Sequence, residues 1–108
     1  MSLGPVLIGI PGTMLDERNR EWLMHPAVGG VVLFQRNFSD RETLYQLVQE
    51  IRALREPRLL IAIDQEGGRV QRLQGDGFTR LPPLGVLGHL RKSDPVKALD
   101  MAYRHGRV

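Results

Sequence analysis

Three short apolar runs, Val6 to Ile10, VVLF at 31 to 34 and Leu59 to Ile63, punctuate a chain that is otherwise polar or amphipathic. Inside each run the apolar residues are continuous rather than alternating, the pattern of strands buried on both faces. Pro11-Gly12 ends the first run, and Gly29-Gly30 releases the chain into the second. Between them, Asp16 opens a short polar helix carrying Trp22 and Leu23. That helix stops at His25, because the ring of Pro26 disfavours helical geometry at the residue before it; a polar ring at such a position closes the helix end. Between the second and third runs, Ser39 and Glu42 have the S-x-x-E spacing of a capping box. Leu44, Leu47, Val48, Ile51 and Leu54 then recur at three and four to give one apolar stripe, which Pro57 closes. Strands separated by helices, with no alternation inside the strands, predict parallel β/α units with helices covering the sheet: an α/β fold.

Past Arg72 the pattern changes. GDGF has turn chemistry, and the prolines of LPPLG lack the amide that a strand interior needs, so a loop of some ten residues is predicted there. An apolar helix follows from Leu84 to Leu90. Asp94-Pro95 supplies a cap and a first-turn proline for a last helix, on which Val96, Leu99, Tyr103 and Gly106 share a face. Three parallel strands leave a long apolar edge with unpaired amides and carbonyls, so the pattern predicts part of a larger domain and self-association through the open sheet edge.

Composition narrows the function classes. The 108 residues suit a single folded domain. Net charge is +3, but the charges are interspersed, as in DERNRE (16 to 21) and DRE (40 to 42), and no basic run is interleaved with aromatics. That is a solvated helix face rather than a nucleic-acid footprint. The absence of cysteine excludes disulfides, thiolate metal sites and a cysteine nucleophile. GPVLIGIPG lacks a charged leader and is too short to span a membrane, so a cytoplasmic protein without membrane contact is expected. His25, His89 and His105 share no metal-like spacing, no Ser/His/Asp set can be assembled, and neither metal nor cofactor is expected.

The chemistry concentrates in LLIAIDQEGGRVQR, residues 59 to 72. Asp64 ends the third apolar run, and ligands of parallel sheets bind where the strand C-termini gather. Asp64 and Glu66 would face the same way, about 7 Å apart, if strand geometry persisted, near the spacing of a glycosidase acid pair. Gly67-Gly68 breaks that geometry, and Arg69 and Arg72 are placed to neutralise Glu66, which favours a loop role over direct catalysis. The glycine pair itself marks a tight turn or a close backbone approach, with no phosphate-loop spacing around it. The forked donors of Arg72 suit carboxylate oxygens or sugar hydroxyls.

HPAVGGVVLFQRNF (25 to 38), LLIAIDQEGGRVQRL (59 to 73) and GFTRLPP (77 to 83) together resemble the N-terminal part of the family 3 glycoside hydrolases. The E-G-G after Asp64-Gln65 is similar to the bacterial β-N-acetylhexosaminidase branch, the NagZ type, rather than to the β-glucosidases, which carry H-G. The resemblance implies that residues 1–108 are the N-terminal portion of a single (β/α)8 TIM-type barrel, its first three β/α units. It implies hydrolysis of terminal β-linked N-acetylglucosamine from muropeptides during cytoplasmic peptidoglycan recycling, with retention of configuration through a glycosyl-enzyme intermediate and without a metal. Asp64 and Arg72 would bind the substrate sugar, with Glu66 and Arg69 as loop supports. The family's K-H-F-P-G-H-G segment, the loop with the histidine acid/base and the later aspartate nucleophile have no counterpart here, so no catalytic residue is assigned and the chain is expected to be inactive alone. A non-catalytic sugar-binding or regulatory module derived from that barrel is the alternative. The chain also departs at the first strand end, where Gly9 stands in place of the usual aspartate of a D-x-x-G pattern.

Overall fold

The computed structural model describes residues 2–108, which divide into two compact units, one up to Asp64 and the other Gln65–Val108.

The first unit is a three-stranded sheet with helices between its strands: β1 (Val6–Ile8), α1 (Glu17–Leu23), β2 (Val28–Leu33), α2 (Arg41–Ala53) and β3 (Leu60–Ile63). Both pairings are parallel, in the order β1-β2-β3, with Gly30 level with Leu7 on one side and Leu60 on the other. The α/β reading therefore holds, with one adjustment. Gly29 and Gly30 lie inside β2 rather than before it, and a Cβ on Gly30 would come within 2.6 Å of both the Leu60 carbonyl oxygen and Leu7 Cδ2. The strands here approach too closely for any side chain, which is the physical reason for glycine at that level.

Burial corrects the expectation of strands covered on both faces. Val31 and Leu33 are buried with Leu23, Leu44, Leu47, Ile51 and Leu59, and these form the core of the unit. The opposite face is open: Leu7 and Leu60, which flank Gly30, are 48% and 60% exposed. β1 also ends at Ile8, two residues earlier than its apolar run.

Helix ends follow elementary capping chemistry. Asp16 accepts from the Asn19 amide at 2.7 Å while Asn19 Oδ1 accepts from the Asp16 amide at 3.2 Å, a reciprocal box that starts α1. Beyond that helix, His25 Nδ1 accepts from the Ala27 amide at 3.1 Å, so the ring ties down the turn that follows α1 rather than closing the helix end, whose free groups are carbonyls. The cap of α2 is Asp40 rather than Ser39: its carboxylate accepts from the Thr43 amide at 2.7 Å and the Thr43 hydroxyl at 3.0 Å. An ionised carboxylate is the stronger acceptor for an amide at the positive end of a helix, so the start falls one residue later than the S-x-x-E spacing predicts. Behind α2, buried Arg55 donates through Nη1 to the carbonyls of Leu23, His25 and Val28 and through Nη2 to that of Ser2. One guanidinium thus satisfies backbone acceptors at the end of α1 and the start of β2.

The second unit begins with a hairpin that the sequence reading placed in a loop: β4 (Gln65–Gly67) antiparallel to β5 (Val70–Gln71), then an isolated bridge between Gly75 and Phe78. Two helices follow, α3 (Leu84–Arg91) and α4 (Pro95–Arg107), the latter capped by Asp94 with Pro95 in its first turn as expected. The packed side of α4 differs from the expected one. Ala98 is buried and Met101 and His105 are half-buried, whereas Val96, Leu99 and Tyr103 are exposed. Among the described residues no helix is long and apolar enough to cross a membrane.

Candidate functional site

The C-terminal ends of β1, β2 and β3 lie at one end of the first unit, since all three strands are parallel. The chain leaving β2 turns through a 3-10 segment, Gln35–Asn37, whose last residue is completely buried. Asn37 Nδ2 donates to the Ile10 carbonyl at 3.0 Å and to the Gly12 carbonyl at 2.7 Å, and its Oδ1 accepts from the Phe34 amide at 2.8 Å. One amide therefore fixes the loop after β1 against the loop after β2 and leaves no lone buried polar group of its own. Arg36 joins the same junction: Nε donates to the Ile10 carbonyl at 3.0 Å, and the guanidinium carbon sits 4.7 Å from the centre of the Phe34 ring.

Asp64 stands one residue past the last β2–β3 pairing, Leu33 with Ile63, and is exposed there. Backbone pairing with β2 holds the strand up to Ile63, and the carboxylate emerges where that pairing stops. The position is the one from which a parallel sheet presents a polar group to a ligand.

Arg72 belongs to the second unit, immediately after β5, and is half-buried. Its backbone is held by a glutamine: Gln65 Oε1 accepts from the Arg72 amide at 3.0 Å and the Leu73 amide at 3.1 Å, while Gln65 Nε2 donates to the Leu73 carbonyl at 3.0 Å. Buried Gln71 works in parallel. Its Nε2 donates to the carbonyls of Leu73 (3.0 Å) and Thr79 (2.8 Å), and its Oε1 accepts from the Leu81 amide at 2.8 Å. Gly67 and Gly68 take φ of +100° and +59°, and a Cβ on Gly67 would run into the Pro82 carbonyl oxygen. Both expectations for the glycine pair, a tight turn and a close backbone approach, are met together.

The supports of this loop are therefore the glutamines, not Glu66 and Arg69. Both of the latter are exposed, and neither makes an ion pair or hydrogen bond with a described residue. The acid pair considered for Asp64 and Glu66 is also split. Asp64 follows β3, whereas Glu66 lies inside the β4–β5 hairpin, so one continuous strand does not carry both. Gln65 and Gln71 escape a reading of residue types because glutamine has no charge and no required spacing; the available signal was their flanking of the glycine turn. No group of three or more potential metal ligands occurs among the described residues.

Comparison with known proteins places these features in a family. The glycosyl hydrolase family 3 N-terminal domain matches residues 7–107. The beta-hexosaminidase of Aromatoleum aromaticum is 54% identical over 106 residues, 98% of this chain and 30% of that protein. Among solved structures, native NagZ from Neisseria gonorrhoeae superposes with a TM-score of 0.84 at 48% identity, covering 91% of this chain and 29% of that one. The same gonococcal protein has been solved in complex with N-trifluoroacetyl-D-glucosamine, with a TM-score of 0.83 at 48% identity over 91% of this chain and 28% of that one. The chain thus spans about 30% of the length of the curated relatives it matches.

Proposed function

Because this chain belongs to glycosyl hydrolase family 3, matching its N-terminal domain, we propose that it forms the first three β/α units of a (β/α)8 barrel and the sugar-holding part of a β-N-acetylhexosaminidase site. In this reading Asp64 accepts hydrogen bonds from hydroxyls of a terminal N-acetylglucosamine, and Arg72 donates to the same sugar. The natural substrate is a muropeptide, cleaved during cytoplasmic peptidoglycan recycling. The observation that carries the reading is the placement of Asp64, an exposed carboxylate at the C-terminal end of a parallel strand. The arrangement of Gln65, which pins the backbone of Arg72 with three hydrogen bonds to residues 72 and 73, supports it. A carboxylate and a guanidinium both suit hydroxyl recognition, and preorganised backbone keeps the ordering cost of binding low.

The bond-breaking groups lie outside residues 1–108 in this proposal. Neither Asp64 nor Glu66 acts as acid or nucleophile, and the open face of the sheet is covered by further chain or by another copy. Assay of the purified 108-residue chain with nitrophenyl β-N-acetylglucosaminide is expected to give no turnover above the blank. Turnover that disappears in Asp64→Ala or Glu66→Ala would overturn the assignment of these residues to holding rather than cleaving.

A further inference from the structure

We propose that Arg36 is a second ligand-binding residue of the first unit, reading a carboxylate carried by the residue linked to the sugar that Asp64 holds; the proposal rests on the sugar-binding reading above and extends it to the neighbouring group of the ligand. Three observations converge. Arg36 is anchored at two points, by the Nε bond to Ile10 and by its stacking on Phe34. Its terminal nitrogens Nη1 and Nη2 form no hydrogen bond or ion pair with any described residue. Nη2 lies over the bare backbone of Gly9, where a Cβ would stand 2.8 Å from it. The result is a guanidinium whose stem is ordered by the protein while its outer fork is open, at the end of the sheet where Asp64 also emerges.

A guanidinium fixed in this way recognises a planar oxyanion through two parallel N–H bonds, and much of the ordering cost has already been met by the protein. One cation without a second arginine or lysine in contact matches a monovalent carboxylate better than a phosphate dianion. Gly9 is part of the device, because a carboxylate side chain at that position would occupy the fork from within the protein. A Cβ at position 9 would meet a terminal guanidinium nitrogen rather than backbone, so Gly9→Asp requires that nitrogen to shift.

The test uses the disaccharide N-acetylglucosaminyl-β-1,4-N-acetylmuramic acid and its methyl ester, titrated calorimetrically, with N-acetylglucosamine alone as reference. The acid is expected to bind about fivefold more tightly than the ester at low salt, the range of an exposed charge pair, and the ratio should shrink toward one at high salt. Gly9→Asp and Arg36→Gln should each bring the ratio of acid to ester affinity to about one. A second readout follows the Arg36 guanidinium by NMR during titration with lactate and, separately, inorganic phosphate; lactate should shift it and phosphate should not exceed lactate. Equal binding of acid and ester with no lactate response, or an acid preference that survives both substitutions, overturns the proposal, and a stronger phosphate response overturns the carboxylate assignment. Loss of N-acetylglucosamine binding with the lactate response intact would instead remove the sugar-binding reading and leave Arg36 as an anion site.

Discussion

Asn37 donates its side-chain amide to the Ile10 carbonyl oxygen at 3.0 Å, a bond between residues 27 positions apart in which both partners are almost fully buried. With the Gly12 carbonyl and the Phe34 amide as its other partners, it joins the exits of β1 and β2. Asn37→Ala would strand buried carbonyl and amide groups without water, and each unsatisfied group costs about 1–3 kcal/mol. A loss of about 2–4 kcal/mol is expected, measured as a lower urea midpoint with an unchanged slope. A shift of a few tenths of a kcal/mol would show that the junction is held by something else.

Gln65→Ala removes the acceptor of the Arg72 and Leu73 amides without touching the Arg72 side chain. Amide exchange at these two positions should accelerate, and affinity for N-acetylglucosamine should fall by about three- to tenfold as the loop must be ordered on binding. Unchanged exchange at both amides would contradict the positioning role.

Asp40 has its titration shifted by its role as the cap of α2. The amide and then the hydroxyl of Thr43 hold its carboxyl below the ordinary value of 3.8, because they bond the charged form. The folded pKa is thus lower than the unfolded one, so the stabilisation is fully present above about pH 4 and is lost as pH falls through the folded value. Asp40→Ala should lower the thermal midpoint at pH 7, and the gap from the natural protein should narrow on acidification below about pH 4. A gap that is constant from pH 7 to pH 2.5 would rule out the charged cap.

The open sheet face should show in solution. Leu7 and Leu60 are exposed on either side of Gly30, and β1 and β3 are both edge strands of the three-stranded sheet. Sedimentation of the isolated chain is expected to reveal concentration-dependent association, with Leu60→Lys weakening it. A monomer across the micromolar to millimolar range would count against this account of the face.

The elements whose evidence is local were legible in the sequence. The stripe of Leu44, Leu47 and Ile51 located α2, the Asp94-Pro95 pair located the start of α4, and the continuous apolar runs gave the parallel sheet. The failures arose where a distant group decides. Gly30 reads as a linker until Leu60 is seen across the sheet, and the burial of Ala98 in place of Leu99 follows from α3, not from periodicity within α4. Asp64 and Arg72 could be singled out by chemistry and motif. Gln65, Gln71 and Asn37 could not, because their roles are carried by backbone partners several to many residues away.

The central claim, that this chain holds a sugar through Asp64 and Arg72, is tested most directly by titrating N-acetylglucosamine into isotopically labelled protein. The account predicts saturable shifts of the Asp64 and Arg72 signals in the millimolar range, abolished by Asp64→Ala with the remaining spectrum preserved. No response of either residue at tens of millimolar sugar, or a response indifferent to Asp64→Ala, would contradict it.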